Sequence, residues 1–301
     1  MQNKNEWSRR TFLKGSSWFA AAGIAAPLLS SCAGPTANSA TSSLDALKKQ
    51  GFVNVGVFGS PIWGYTDKSG RVTGEAPEVA RAVFNKLGVP DIKATQVSFD
   101  QLIPALNAGQ FDVICAGMYI TPARCKNAQF STPDLIVLEA FLTPKGNPLN
   151  IKTLQDVASK NAKLAMLSGT PEKDWALSAG VKAEQITVFD GNQQMLEAVQ
   201  TGRVNVGIST DLTMKQLLKQ NPNAPLEVAA EFQPSLNGKP VTPASGFVFR
   251  QGNQQLVDAF NQQLTAIHDS GEWLKIVEPF GLTKDNLPPK DLTTQQLCTA
   301  S

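Results

Sequence analysis

Short apolar segments that alternate with amphipathic ones constrain the fold of this chain most strongly. In the first half we predict strands and helices in strict succession, with the second helix closed by a glycine stop at Gly109. The segments are Phe52–Phe58 (strand), Glu75–Leu87 (helix), Ile92–Val97 (strand), Phe99–Ala108 (helix) and Phe111–Ala116 (strand). This alternation is typical of an α/β fold with a mostly parallel sheet.

A second α/β unit follows. We predict helices at Leu154–Ser159, Glu172–Ala179, Asn192–Thr201 and Asp211–Gln220, between strands at Lys163–Leu167, Gln185–Phe189, Val204–Ser209, Leu226–Glu231 and Gly246–Arg250. One long helix, Asn253–Leu274, precedes a proline-rich tail. The segment from Leu102 to Val113 resembles that from Leu196 to Val206, each being a helix, a glycine turn and a buried strand. Two related lobes create a cleft, and clefts between lobes are common ligand sites.

The N-terminus reads as an export signal. Arg9 and Arg10 precede an apolar run from Trp18 to Leu29 that is too short for a permanent membrane span. We predict a twin-arginine, lipoprotein-like signal over residues 1–32, with lipidation at Cys32, and a flexible tether over 33–43. The alternative is an N-terminal amphipathic helix of the folded domain. The signal interpretation predicts a periplasmic protein or one held at the outer face of the plasma membrane.

Charge excludes one class of partner. The chain has a net charge of +2, but residues 1–31 carry four basic residues and one acidic residue. The remainder is therefore close to neutral, with a net charge of about −1. Nothing implies a basic face, so we expect no nucleic-acid partner.

The four cysteines suggest one disulfide bond. Cys115 lies in a predicted buried strand, where cysteine behaves as a small apolar residue. With Cys32 assigned to lipidation, Cys125 and Cys298 remain, and an oxidising compartment favours a bond between them. The chain has one histidine, His268, which we expect to be solvated on its predicted helix. We expect neither a metal nor another cofactor.

Several segments resemble a known family, the extracellular solute-binding proteins of ABC importers for polar amino acids (family 3), and within it the ectoine- and hydroxyectoine-binding branch. They are Gly74–Arg81, Gly117–Cys125, Glu139–Phe141, Lys145–Pro148 and Thr293–Cys298. The resemblance implies a two-lobed periplasmic-binding-protein fold of type II. It implies a first lobe of residues 44–142 plus 244–301, a second of 143–243, and hinge strands near Phe141–Thr143 and Pro243–Gly246.

The resemblance also implies a carboxylate site. Arg124 matches the arginine that clamps the ligand carboxylate, and a guanidinium offers carboxylates a bidentate fork. Gly117, Tyr119 and Thr121 belong to the same loop, and Tyr119 resembles the aromatic residue that faces a delocalised cation in the ectoine branch. The alternatives are a surface ion pair for Arg124 and core packing for Tyr119.

Two further segments reach the cleft in this family. Phe58, Ser60 and Trp63 belong to the loop after the first strand, where an aromatic residue packs on the ligand or is merely structural. Ser60 stands where the ectoine branch has a glutamate. In the second lobe, Ser168, Gly169 and Thr170 form a turn before a helix and would complete the carboxylate site, unless they only cap that helix.

Asp211 points to a different ligand. Amino-acid binders of this family place an aspartate there to accept bonds from the ligand ammonium, whereas a helix N-cap is the structural alternative. Both signals fit a small zwitterion, either a neutral or polar amino acid or an ectoine-type compatible solute, but not lysine or arginine.

We therefore predict the binding component of an ABC importer. It would be a monomer that closes about a hinge and docks on a membrane permease. The alternatives are a dehydratase on the same fold, with Glu75, Glu78 or Asp211 as proton donor or base, and the ligand-sensing domain of a receptor. We include Glu75 among the candidate ligand-binding residues.

Overall fold

The computed structural model describes residues 43–300 of the 301-residue chain. The predicted signal over residues 1–32, the lipidation site Cys32 and the tether, apart from Ser43, lie outside the described residues. Ser43 caps the first helix by accepting a hydrogen bond from the Ala46 N–H. In residues 43–300, no helix combines the length and the apolar character needed to cross a bilayer.

The strands and helices alternate as the sequence pattern predicts. The strands are β1 (Phe52–Val57), β2 (Tyr65–Thr66), β3 (Val72–Thr73), β4 (Asp91–Gln96), β5 (Val113–Tyr119), β6 (Gln129–Phe130), β7 (Leu135–Ile136), β8 (Glu139–Pro144), β9 (Leu164–Leu167), β10 (Ile186–Phe189), β11 (Val206–Thr210), β12 (Leu226–Phe232), β13 (Ser235–Leu236), β14 (Lys239–Pro240) and β15 (Ala244–Phe249). The α-helices are α1 (Leu44–Gln50), α2 (Glu75–Lys86), α3 (Leu102–Asn107), α4 (Pro122–Cys125), α5 (Leu154–Ser159), α6 (Glu172–Ser178), α7 (Asn192–Gln200), α8 (Asp211–Gln220), α9 (Gln254–Asp269), α10 (Glu272–Val277) and α11 (Thr294–Thr299).

Two main sheets organise the described chain. The first has the strand order β4-β1-β5-β15-β6, with β7 also paired to β15, and the second has the order β10-β9-β11-β8-β12. In each sheet the strands linked by helices are parallel, whereas β15 in the first sheet and β8 in the second run antiparallel to their neighbours. We call each sheet, with the helices packed on it, the first and the second lobe.

The internal repeat predicted from the sequence is confirmed. Helix α3 is followed by Gly109 and then by β5, and helix α7 is followed by Gly202 and then by β11. Both strands lie at the centre of their sheets and are almost wholly buried. The ends of β5 and β11 consequently occupy corresponding positions in the two lobes.

The predicted single helix Asn253–Leu274 is wrong in one respect. The structure has two helices, α9 and α10, separated at Ser270 and Gly271. Gly271 has φ = +72°, a left-handed conformation that side chains with a Cβ disfavour. The break turns α10 so that Trp273 becomes fully buried in the core of the first lobe.

A disulfide bond joins Cys125 at the end of α4 to Cys298 in α11, as predicted, across a sequence separation of 173 residues. Leu297 beside it is buried in an apolar cluster with Phe130 and Ile120. Cys115 is buried and free, also as predicted. The bond therefore attaches the C-terminal segment to the helix that carries Arg124.

Replacing Cys298 by serine removes this cross-link. We expect the free energy of unfolding to fall by roughly 2–4 kcal/mol, because a bond that closes a long loop restricts the unfolded chain. Urea denaturation measures the change. The double variant Cys125→Ser/Cys298→Ser should match the single variant, and a reductant should lower the wild type to the same stability. Equal stability of wild type and variant would contradict the expectation.

Buried ionisable groups cluster inside the first lobe, behind β5. Glu75 at the start of α2 is fully buried, and so is most of Asp134, which accepts hydrogen bonds from Trp273 Nε1 at 2.9 Å. The prediction that His268 is solvated is wrong. Its Nε2 lies 3.0 Å from Asp134 Oδ1, and its side chain is only 17% exposed. Burial, and then the Asp134 carboxylate, raise the pKa of Glu75 well above its ordinary value of 4.5.

Glu75→Gln should flatten the dependence of stability on pH. Because the folded-state pKa is raised, the stabilisation from Glu75 is complete below pH 4.5 and is lost as the pH rises towards the folded-state value. Relative to wild type, the variant should gain about 1.4 kcal/mol for every pH unit in that interval. Urea denaturation from pH 4 to pH 8 measures it, with the exposed Glu184→Gln as control. Parallel pH profiles for wild type and Glu75→Gln would contradict this account.

Candidate functional site

A cavity of about 40 Å³ lies between the two lobes. The first lobe contributes mainly aromatic walls and the second contributes mainly polar groups. The lining residues of the first lobe are Phe58, Trp63, Phe99, Ala116, Gly117, Tyr119 and Arg124. Those of the second lobe are Leu167, Thr170, Pro171, Glu172, Asn192, Ser209, Thr210 and Thr213.

Trp63 forms one aromatic wall and links the lobes. Its ring lies against Gly117, where an added Cβ would come within 2.7 Å of the indole, and Gly117 has φ = +59°. Its indole Nε1 donates a hydrogen bond of 2.8 Å to Thr213 Oγ1 on α8. Thr210, which caps α8, donates to the same oxygen at 2.7 Å. A glycine at 117 is therefore needed for the tryptophan to reach the second lobe.

Arg124 lies on the one-turn helix α4. Thr121 caps this helix by accepting from the Arg124 N–H at 3.3 Å. The guanidinium donates from Nη1 to the Tyr119 carbonyl at 2.8 Å and from Nη2 to the Gly169 carbonyl of the second lobe at 2.9 Å. Burial lowers its pKa to about 10, against the opposing effect of the Glu172 carboxyl, so the group stays charged at neutral pH.

Tyr119 ends β5 and is almost fully buried. Its hydroxyl donates a hydrogen bond of 2.7 Å to Glu139 Oε1, and its ring lies 5.9 Å from that of Trp175 on α6. Burial and the Glu139 carboxyl raise the pKa of Tyr119 well above 10, so the hydroxyl is a proton donor at neutral pH. Tyr119 therefore lines the cavity, while its hydroxyl is bonded to Glu139 outside the lining.

Glu172 brings an acidic group into the second wall. It is 3% exposed, and its Oε2 has no hydrogen-bond partner. Asn192, at the start of α7, also has a buried side-chain oxygen without a partner. Burial raises the pKa of Glu172, with the Thr170 hydroxyl opposing that effect. The second lobe therefore contributes two buried side-chain oxygens to the cavity, from Glu172 and Asn192, that have no hydrogen-bond partner.

The structure brings six of the predicted site residues together in the cavity lining: Phe58, Trp63, Gly117, Tyr119, Arg124 and Thr170. Thr121 acts on α4 as its cap. Ser168 bonds through its N–H to the Phe189 carbonyl and lies next to Gly169, whose carbonyl holds Arg124. Ser60 is buried in a bridge with Gly64, outside the lining. Glu75 is in the interior of the first lobe and not in the cavity.

Asp211 does not cap α8, because the N-cap is Thr210 and Asp211 is the first helical residue. Its carboxylate accepts a hydrogen bond of 2.9 Å from Lys215, which also pairs with Glu231 at 2.7 Å. Asp211 is outside the cavity lining, although its charge acts on Tyr119 and Glu139. We expected Asp211 to bind the ammonium group of a ligand, but in the structure its cationic partner is Lys215.

Sequence analysis missed Glu139 and Glu172 as site residues. Glu172 had one signal, since it follows the turn at Ser168–Thr170 that we expected in the cleft. Glu139 begins a segment that resembles the family, but nothing local predicts its burial, which results from the pairing of β8 with β11 and β12. Phe99, which stacks edge-on with Phe58 at 5.0 Å and lies 5.3 Å from the Arg124 guanidinium, was likewise assigned only to a helix.

A wider groove of about 1200 Å³ runs beside the C-terminal segment, between α9 and α11. It is larger than the cavity between the lobes, but it holds none of the buried side-chain oxygens that lack partners. Across residues 43–300, no group of three or more histidine, cysteine, aspartate or glutamate side chains is arranged to hold a metal ion. The cavity between the lobes is therefore the best candidate site.

Comparison with known proteins places this geometry in a family. The profile of the bacterial extracellular solute-binding proteins, family 3, matches residues 53–283. The chain belongs to this family. A probable amino-acid ABC transporter periplasmic-binding protein of Sinorhizobium fredii, y4tE, is 31% identical over 261 residues, covering 85% of this chain and 86% of the relative. The L-cystine-binding protein TcyJ of Escherichia coli K12 is 27% identical over 230 residues, covering 76% and 82%.

A solved structure agrees with the fold. The crystal structure of EhuB in complex with hydroxyectoine has 34% identity and a TM-score of 0.76, and covers 86% of this chain and 98% of that one. The predicted two-lobed, type II periplasmic-binding-protein fold is thereby confirmed. The solute-binding protein acts outside the cytoplasm with its family, and its relatives are binding proteins rather than enzymes, so the dehydratase alternative gains no support.

The Trp63–Thr213 bond tests whether the lobes meet in solution as they do here. Trp63→Phe keeps a ring on Gly117 and Thr213→Val keeps the volume, but each removes one partner of the bond. Urea denaturation of both single variants and the double variant should give a coupling energy of about 1 kcal/mol, the typical contribution of one hydrogen bond. Strictly additive effects would show that this contact does not form in the free protein.

Proposed function

We propose that this protein captures a small zwitterion of the ectoine type between its lobes and delivers it to the membrane permease of an ABC importer. One observation carries the proposal. The cavity is lined by a guanidinium from the first lobe, Arg124, and by a carboxyl from the second lobe, Glu172, one of whose oxygens has no hydrogen-bond partner. Opposite charges on opposite walls suit a ligand that carries both signs.

The carboxylate end of the ligand is assigned to Arg124. Its guanidinium now donates to two main-chain carbonyls, and a carboxylate is a stronger acceptor for the same fork. Thr170 and Gly117 line the same cavity. Thr121 caps the helix that carries the arginine, and Ser168 precedes Gly169, whose carbonyl the arginine contacts. Exchanging the Gly169 carbonyl for the ligand keeps the two lobes connected through the ligand itself.

The cationic end is assigned to the aromatic walls and to Glu172. Phe58, Trp63, Phe99 and Tyr119 present four rings to one small space, and such rings attract a delocalised or alkylated cation. Glu172 supplies the negative charge that Ser60 lacks at its own position. The hydroxyectoine bound to EhuB is a ligand of this chemistry.

An α-amino acid is the second candidate. Two relatives are named for amino-acid or L-cystine transport. A primary ammonium would rely on Asp211, but that carboxylate is already paired with Lys215 and lies outside the cavity lining. The occupied state of Asp211 favours the ectoine-type ligand.

Ligand entry requires the lobes to separate. A space of about 40 Å³ is far below the ~300 Å³ at which ligand pockets usually begin. The proposed division puts residues 44–142 and 244–301 in one moving body and 143–243 in the other, with β8 and β15 near the two crossings. Rotation about these crossings is a hinge closure of the kind that periplasmic binding proteins use.

Export and anchoring complete the proposal. The twin-arginine segment would direct the chain across the inner membrane, and Cys32 would carry a lipid that keeps it at the membrane near its permease. Single binding proteins suffice for such delivery, so we propose a monomer. The predicted tether after Cys32 would let the two lobes reach the permease.

Calorimetric titration tests the ligand assignment. The purified protein is unfolded and refolded to remove carried-over ligand and then titrated with ectoine, hydroxyectoine, glycine betaine and the twenty L-amino acids. We expect an ectoine-type ligand to bind, and Arg124→Met to weaken it by about 10- to 100-fold, since a charged hydrogen-bonded contact contributes about 1.5–3 kcal/mol.

Lys126→Met removes a neighbouring exposed cation and is the matched control. It should leave the affinity unchanged. Binding of an amino acid that is lost in Asp211→Asn would establish the second candidate instead. If no compound in the panel binds, the zwitterion assignment is wrong.

A further inference from the structure

Glu139 and Glu172, which we call the carboxyl pair, are both buried. Glu172 lines the cavity, whereas Glu139 lies outside the lining, bonded to the Tyr119 hydroxyl. Glu139 is fully buried at the start of β8, with Oε1 bonded to the Tyr119 hydroxyl and Oε2 without a partner. Glu172 is 3% exposed and lines the cavity, and its Oε2 has no partner either. Tyr119 and Trp175, whose rings are 5.9 Å apart, connect the elements that carry the two carboxyls.

Neither carboxyl of this pair forms a salt bridge within the described residues. The charge of Arg124 acts on Glu172 and lowers its pKa, but burial has the larger, opposite effect. The terminal nitrogens of Arg124 are bonded to the carbonyls of Tyr119 and Gly169, and Lys215 is bonded to Asp211 and Glu231. Removing two carboxylates from water next to each other is costly unless one of them keeps its proton. Burial, and then the Glu172 carboxyl, raise the pKa of Glu139 in agreement with this geometry.

We propose that binding of the ligand's cationic group expels a proton from the carboxyl pair. This inference rests on the proposed function and concerns the same cavity. The O–H bond of one carboxylic acid breaks, its proton passes to the solvent buffer, and the carboxylate formed pairs with the cation of the ligand. The pair thus becomes fully ionised only when a positive charge is present to balance it.

Tyr119 and Arg124, which lie beside the pair, do not change their protonation near neutral pH. Tyr119 keeps its proton because burial and Glu139 raise its pKa, and Arg124, with a pKa of about 10, stays charged. Asp211 is balanced by Lys215. His268 is bonded to Asp134 inside the first lobe and does not line the cavity. A proton released on binding therefore comes from Glu139 or Glu172.

A consequence is that affinity depends on pH. Because the free protein holds the proton and the complex does not, binding should tighten as the pH rises from the ordinary carboxyl pKa of 4.5 towards the raised pKa of the pair, by at most tenfold per pH unit for one proton. In an acidified compartment the ligand would be released. This dependence separates the carboxyl pair from a permanently ionised site, whose affinity would be flat over the same range.

Calorimetry in two buffers counts the proton. Hydroxyectoine, or whichever panel member binds, is titrated at pH 7 in phosphate and in Tris, which differ in their heats of protonation. We expect a difference in the observed heat that corresponds to release of a substantial fraction of one proton. Glu139→Gln and Glu172→Gln should each lower that number, and circular dichroism would verify that both variants fold.

Glu75→Gln is the matched control, because Glu75 is an equally buried carboxyl with a raised pKa that lies outside the cavity. It should release as many protons on binding as the wild type. Binding with the same heat in both buffers would overturn the proposed proton release and leave the proposed function intact. Failure of every compound to bind would overturn the proposed function and this inference with it.

Discussion

The pairing of β15 with β5 holds the first wall of the cavity in place. Ser245 is opposite Tyr119 in this antiparallel pair, and its hydroxyl donates a hydrogen bond of 2.9 Å to the Gly117 carbonyl. The end of β5, from which Gly117, Tyr119 and Arg124 reach the ligand space, is therefore fixed by a strand that the chain supplies only after it has built the second lobe. The geometry of the candidate site depends on the completion of both lobes.

The cavity itself works against stability. Each buried acceptor without a partner costs about 1–3 kcal/mol, and the structure keeps such oxygens at Glu139, Glu172 and Asn192. Elsewhere in the first lobe a comparable acidic residue, Asp134, is bonded to a tryptophan and a histidine. Glu75, inside the same lobe, also has two oxygens without a partner, so such an oxygen points to a ligand contact only where its residue lines the cavity, as Glu172 and Asn192 do. Local departures from full satisfaction are expected where a protein binds.

The sequence was sufficient for the fold, because periodicity and glycine stops are local signals. Helices Leu154–Ser159 and Asp211–Gln220 begin and end where the pattern predicts. Arg124 and Tyr119 were found because they belong to the family-like segment Gly117–Cys125, and Trp63 because it follows the first strand. Glu139 begins another such segment, but its burial, like that of Glu172, comes from contacts between distant segments and could not be seen in the sequence. Asp211 was predicted to bind the ligand, but its carboxylate is paired with Lys215 and lies outside the lining. The spacing of four residues between them already favours such a pair on a helix.

The disulfide bond also sets an order of events. Its two cysteines are separated by 173 residues that include the entire second lobe, and one of them adjoins Arg124. Disulfide bonds persist in oxidising compartments and not in the cytosol. Because the family acts outside the cytoplasm, the helix that carries Arg124 is expected to be cross-linked to the C-terminal segment only in the compartment where the protein works.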